Sequence, residues 1–131
     1  MRRAILLSAL IATFSFAAQQ PRKPRPAALE VLDLKVHRED GKVAVEGRVR
    51  NAGEKPVRRL VLLFNFLAPG NEVIARGRGP AEEETLKPGQ EHSFNYQIPD
   101  HARAVWLRLS AEDTATGDEP KVINPGPYTI E

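Results

Sequence analysis

Residues 42–67, KVAVEGRVRNAGEKPVRRLVLLFNFL, decide the fold. Over the first part of this stretch Val43, Val45, Gly47 and Val49 share one side, and Ala44, Glu46, Arg48 and Arg50 share the other. A period of two is that of a β-strand, and one dry face opposite one wet face belongs to an antiparallel sheet. Asn51 to Pro56 breaks the pattern. Asn and Gly accept left-handed backbone and Pro56 has no N–H to give a ladder, so the chain turns there. Alternation then resumes, with Leu60, Leu62, Phe64 and Phe66 on one face. Val61, Leu63 and Leu67 occupy the other face of the same strand. Such a strand is either central in its sheet or carries an apolar outer patch open to a partner.

The same period extends in both directions. Upstream, LEVLDLKVHRED places Leu32, Leu34 and Val36 on one face and Asp33, Lys35 and His37 on the other. Asp40-Gly41 follows, a pair suited to a two-residue hairpin turn that needs positive φ. Downstream, APGN marks a turn, and EVIARGRG reads as a short charged strand fit for a sheet edge. KPGQ has Pro and Gly where a turn takes Pro second and positive φ third. In EHSFNYQIP, His92, Phe94, Tyr96 and Ile98 share a face; in RAVWLRLSAED, Val105, Leu107, Leu109 and Ala111 oppose Trp106, Arg108 and Ser110. Helical spacing is not sustained over ten positions anywhere past residue 20. Six or seven short strands of this kind predict an all-β, immunoglobulin-like antiparallel β-sandwich over residues 29–113. Residues 114–131 form a Pro/Gly-rich tail in which 121–124 or 128–130 supplies an edge strand.

The first residues read as an export signal. Arg2 and Arg3 precede an apolar run from Ala4 to Phe16, and Ser15-Phe16-Ala17 places small residues for cleavage after Ala17. Pro21 follows too soon for a span of ~20 apolar residues, so no membrane span is expected once the signal peptide, 1–17, is removed. Residues 18–28 make a Pro/basic linker, in which Arg22, Lys23 and Arg25 either keep a spacer solvated or form an anion-binding tail. These features predict an exported protein, periplasmic or extracellular.

Removal of the signal changes the charge. The whole chain has 19 Lys+Arg and 17 Asp+Glu; without Arg2 and Arg3 the two classes balance at 17 each. A pI near 9.2 is therefore no nucleic-acid footprint. With no cysteine in the chain, neither a disulfide nor a thiol-linked lipid is available.

On Gly47, Val49 and Asn51, then Val57, Leu60 and Leu62, then Gly70, and finally Leu86, Pro88, Gly89 and Phe94, the chain resembles the FxLYD family. These are immunoglobulin-like modules of exported bacterial proteins. The naming motif falls on LFNFL at 63–67, which keeps an aromatic at Phe66 and has no Asp. The resemblance implies a sandwich and, by itself, no activity. The residues that carry it have physical roles of their own: Gly47 permits close approach, and Asn51 satisfies backbone at the corner.

Reactive constellations are absent from the pattern. Ser93 and Ser110 lie outside any nucleophile-elbow context, and His37, His92 and His101 have no H-x-x-x-H or H-x-H spacing. Glu82-Glu83-Glu84 reads as a solvated loop or, less simply, a calcium-attracting one. No enzyme activity and no cofactor are expected. Nucleic acid is not an expected partner either: a basic stripe of Arg48, Arg50, Arg58, Arg59, Arg76 and Arg78 on neighbouring strands would still lack paired aromatics for stacking, and the charge balances. The expected function is non-catalytic protein–protein interaction or scaffolding in the cell envelope. The partner is expected to dock on an open sheet edge or on one face bearing Trp106 and the arginines, with Trp106, Arg48, Arg50 and Arg59 the candidate partner-binding residues. Trp106 has a second reading, as packing at the sheet's outer rim. The alternatives are a small metal- or ligand-binding protein using His92 and His101, and an accessory subunit of a secreted enzyme.

Overall fold

The computed structural model describes residues 23–131; the signal peptide expected at 1–17 lies outside them. Among the described residues there are eight strands and no helix: β1 (Ala28–Glu39), β2 (Lys42–Asn51), β3 (Leu60–Leu67), β4 (Val73–Arg78), β5 (Glu91–Pro99), β6 (Trp106–Asp113), β7 (Lys121–Ile123) and β8 (Tyr128–Thr129). They form two four-stranded sheets. Sheet I has the order β5-β2-β1-β7, and sheet II the order β4-β3-β6-β8. The all-β sandwich expected from the alternation is the fold.

The predicted faces are the buried ones. Val43, Val45 and Val49 of β2, Leu60, Leu62, Phe64 and Phe66 of β3, and Leu107, Leu109 and Ala111 of β6 are all buried between the sheets. On β5, Phe94 and Ile98 are buried and Tyr96 half-buried. Phe64 meets Tyr96 edge-on at 6.0 Å between ring centroids, and Phe94 stacks on Tyr96 at 5.4 Å. β3 is central, as its two apolar faces require, and β4 is an edge.

The turns follow the residue chemistry. Asp40 and Gly41 have φ of 50° and 74°, the primed hairpin conformation that joins β1 to β2. Gly89 has φ of 80° after Pro88, and the Gln90 N–H donates to Lys87 O at 2.9 Å. Gly47 faces the backbone oxygen of Asp33, which a Cβ would strike.

Four expectations change. First, a β-bulge between Val31 and Asp33 shifts the phase of β1. Leu29 and Val31 are therefore the buried residues of its first half, and Leu32 is the extra residue of the bulge. Second, the tail supplies two strands, and one of them, β7, runs parallel to β1. Third, the tail is integral: β8 pairs with β6, Ile130 is 6% exposed, and Arg38 N–H donates to Glu131 O at 2.7 Å. The boundary at 113 thus falls inside the fold. Fourth, the linker ends before residue 28. Arg25 pairs with Glu54 at 3.2 Å, and Ala52 N–H donates to Ala28 O at 2.8 Å, so residues 25–28 lie on the β2–β3 corner.

Candidate docking surface

Two chain crossings between the sheets, after β2 and after β6, depend on polar pins. Asn51, 1% exposed, donates from Nδ2 to Lys55 O at 2.8 Å and Leu86 O at 3.0 Å. Its Oδ1 accepts from Gly53 N–H at 3.0 Å. Asp113, 4% exposed, pins the end of β6, opposite Leu60 at the start of β3. Its carboxylate accepts from Arg58 N–H at 2.8 Å, Ala115 N–H at 3.0 Å and Thr116 N–H at 3.1 Å. These buried polar groups hold loops, and their hydrogen-bonding capacity is used internally.

The outer face of sheet I is also self-sufficient. Arg48 Nε lies 2.7 Å from Asp33 Oδ2, and its Nη1 3.5 Å from Glu91 Oε2. Asp33, through this hydrogen bond, together with the charges of Asp33 and Glu91, raises the guanidinium pKa above its ordinary value. Arg50 Nη2 lies 3.0 Å from Glu30 Oε1. Two of the four candidate docking residues therefore have carboxylate partners within their own sheet. Arg59 is elsewhere, in the loop before β3 with φ of 49°. Its carbonyl accepts from Thr114 Oγ1 at 2.8 Å, a backbone role in closing the end of the sandwich.

Trp106 stands on the opposite side of the molecule. The expectation of one face bearing Trp106 together with Arg48 and Arg50 is corrected by topology: β6 is in sheet II and β2 in sheet I. The register of sheet II assembles a different set around Trp106. Leu67 pairs with Val73 on one side and Trp106 on the other, which makes an apolar row across β4, β3 and β6. Val73 is 46% exposed, the one large hydrophobic residue so exposed among the described residues. One step along β3, Asn65 pairs with Arg76 and with Arg108, giving a cationic row. Neither arginine makes an ion pair among the described residues, whereas Arg78, one row further, lies 3.4 Å from Glu112. Asn65 Nδ2 donates to Arg108 O at 3.2 Å and Ser110 Oγ at 3.1 Å, so its amide is fixed in the middle of the row. A depression of about 320 Å³ lies here, with Leu63, Leu67, Val73, Arg76 and Arg108 in its wall and Glu119 its one carboxylate.

Asn65 and Arg108 were not singled out as candidates from the sequence. The signal was present: an Asn inside the apolar run LFNFL, out of phase with Phe64 and Phe66, must face outward. Which arginines flank it depends on strand register, and register is a long-range property.

The histidine pair is not assembled. His92 opens β5 opposite Val49, and His101 follows its far end, so ~20 Å or more of strand separates them. His101 packs on Phe66 at 5.1 Å between ring centroids. His92 Nε2 is 3.2 Å from Glu82 Oε1, without hydrogen-bond alignment, while Tyr96 Oη donates to that same oxygen at 2.8 Å. Burial, then the hydrogen bond and the Glu82 charge, push the Tyr96 phenol well above its usual range. Glu82, Glu83, Glu84, Glu91 and His92 line an open cleft of about 490 Å³. Among the described residues no group of three His, Asp or Glu is arranged to hold a metal ion, and no helix is long and apolar enough to cross a membrane.

No family model matches the chain, and no curated protein does. Among solved structures it is similar to β-glucosidase from Kluyveromyces marxianus in complex with glucose, at a TM-score of 0.42 and 18% identity. That match covers 82% of this chain and 14% of the enzyme. A mutant β-glucosidase from Listeria innocua in complex with laminaribiose matches at 0.38 and 14% identity, over 81% of this chain and 17% of that one. The chain thus spans less than a fifth of the length of either.

Proposed function

We propose that this chain is a non-catalytic, exported interaction module of the cell envelope, of the FxLYD type. It binds a protein partner through the outer face of sheet II. The observation that carries this reading is the unequal pairing of arginines on the two sheets. Arg48 and Arg50 have carboxylate partners on sheet I, while Arg76 and Arg108 have none and border exposed Val73 and half-buried Trp106. Guanidiniums beside apolar and aromatic side chains are the composition of protein interfaces. The sequence pattern of the first residues supports export, and the balanced charge of residues 18–131 argues for a local, directional contact over a diffuse one.

Crosslinking and mass spectrometry of the processed protein in envelope extract test the reading. Crosslinks from a partner protein are expected at β3, β4 and β6, with Arg76→Ala/Arg108→Ala reducing recovery and Arg48→Ala leaving it unchanged. Partner crosslinks confined to sheet I, or no specific partner at any salt concentration, would overturn it. An unprocessed N-terminus on protein kept in the cytosol would overturn the export component separately.

A further inference from the structure

The arrangement of sheet II also constrains what its occupant is made of. Resting on the reading of this face as a docking surface, we propose that it receives an acidic polypeptide segment. Carboxylates of that segment meet Arg76 and Arg108, and an adjacent apolar side chain lies on Val73 and Trp106, which flank the buried Leu67.

Charge complementarity argues for the acid. Arg76 and Arg108 are fixed on either side of Asn65 by strand pairing. The nearest paired cation, Arg78, already has Glu112, and the depression holds a single carboxylate, Glu119. An acidic ligand therefore meets two guanidiniums that need not first be released from internal partners. Guanidinium–carboxylate pairs are also the stronger, directional kind of charged hydrogen bond.

Geometry argues for a polypeptide. The two arginines are rooted two strand spacings apart, about 10 Å. Side chains three residues apart in polyproline II conformation project from one side at ~9 Å, a close match to that span. Asn65 donates from its amide nitrogen sideways to β6, to Arg108 O and Ser110 Oγ, and its Oδ1 has no donor among the described residues. A backbone N–H of the segment supplies one. The apolar row lies two residues along β3, about 7 Å away, within reach of a neighbouring side chain. A simple polyanion would leave that row, including half-exposed Val73, without a counterpart.

Trp106 is the single tryptophan of the chain, so its fluorescence reports directly on this face. The processed protein is titrated with a synthetic nonapeptide carrying glutamates three residues apart and a flanking leucine. Parallel titrations use the glutamine-for-glutamate peptide, the alanine-for-leucine peptide and polyphosphate. Saturable quenching or a blue shift is expected with the first peptide, weakening as salt is raised. Affinity is expected to fall roughly tenfold with Arg76→Ala/Arg108→Ala and to stay unchanged with Arg48→Ala. Circular dichroism on the same samples confirms that the variants fold. Equal binding of the glutamine peptide, or polyphosphate binding as tight as the acidic peptide, would overturn the acidic-segment inference. The crosslinking experiment separates the two levels. A partner found on sheet II through a neutral or basic segment refutes this inference and leaves the docking surface standing; absence of any partner there removes both.

Discussion

Asn51 closes three backbone groups at the β2–β3 corner with one side chain, at 1% exposure. Asn51→Ala would leave the carbonyls of Lys55 and Leu86 without those donors, and is expected to cost about 2–3 kcal/mol. Asn51→Asp is expected to cost more, because a carboxylate cannot donate and sits against two carbonyl oxygens. Denaturant unfolding followed by Trp106 emission measures both, and a smaller loss for Asp than for Ala would contradict the assignment. The tyrosines give a second residue-scale prediction. Burial raises both: Tyr96 with added help from Glu82, and Tyr128 by burial alone. A raised folded pKa means that the folded state favours the neutral phenol. The associated stability is fully present below the unfolded value near ~10 and is lost as pH rises beyond it. Absorbance at the phenolate band is therefore expected to lag in the native protein and to appear at ordinary pH after denaturation. A native titration coincident with the denatured one would refute this.

The strands show where a single sequence suffices and where it stops. β2, β3 and β6 were legible because their inward residues keep strict alternation; the outward residues are mostly polar or small in β2 and β6, while the second apolar face of β3 marked it as central. In β1 the same rule chose Leu32, and the bulge at Val31/Asp33 defeated it. Gly47 opposite Leu34 marked close approach, but nothing local announced the inserted residue. The docking row was half legible: Trp106 and the arginine content were visible, while their division between sheets depended on β2 pairing with β5 and β3 with β4 and β6. Both segments, 121–124 and 128–130, were legible as edge-strand candidates, but three prolines made the tail look peripheral, with one strand at most. In fact the tail visits sheet I as β7, sheet II as β8, and returns through Glu131 to the backbone of Val36 and Arg38. It ties the two layers together at one edge. A chain ending at residue 113 uncovers Leu29 and Leu107, both at 0% exposure. Losing two strands and the burial of Ile130 is expected to remove several kcal/mol, a large part of the stability of a domain this size. The measurement is the thermal midpoint and the near-ultraviolet dichroism of the shortened chain. A midpoint within a few degrees of the full chain would show the tail to be peripheral after all.

At the scale of the whole molecule, charge is distributed according to what each sheet does with it. Sheet I carries arginines that neutralise its own acids, and sheet II carries Arg76 and Arg108 without such partners. Exposed ion pairs contribute little to stability, because solvent and salt screen them and long side chains lose freedom in making them. Arg48 is half exposed, so its pairs with Asp33 and Glu91 matter more for cancelling charge than for holding the fold. The stability and binding effects of arginine substitutions are thus expected to part company. Arg48→Ala is expected to lower the thermal midpoint by at most a few degrees, a difference that disappears at about 0.5 M salt, with partner recovery intact. Arg76→Ala/Arg108→Ala removes no internal ion pair, so the midpoint is expected to stay within about 3 °C of the parent while partner recovery falls. Scanning calorimetry and the envelope crosslinking assay on the same preparations read both axes. If the double variant instead lost several degrees, the two cations would be structural members of sheet II, and their unpaired state would no longer argue for an occupant. A fold whose stability resides in Phe64, Phe66 and their neighbours can leave charges unpaired on a face without penalty to its core, and that separation is what makes the face available to a partner.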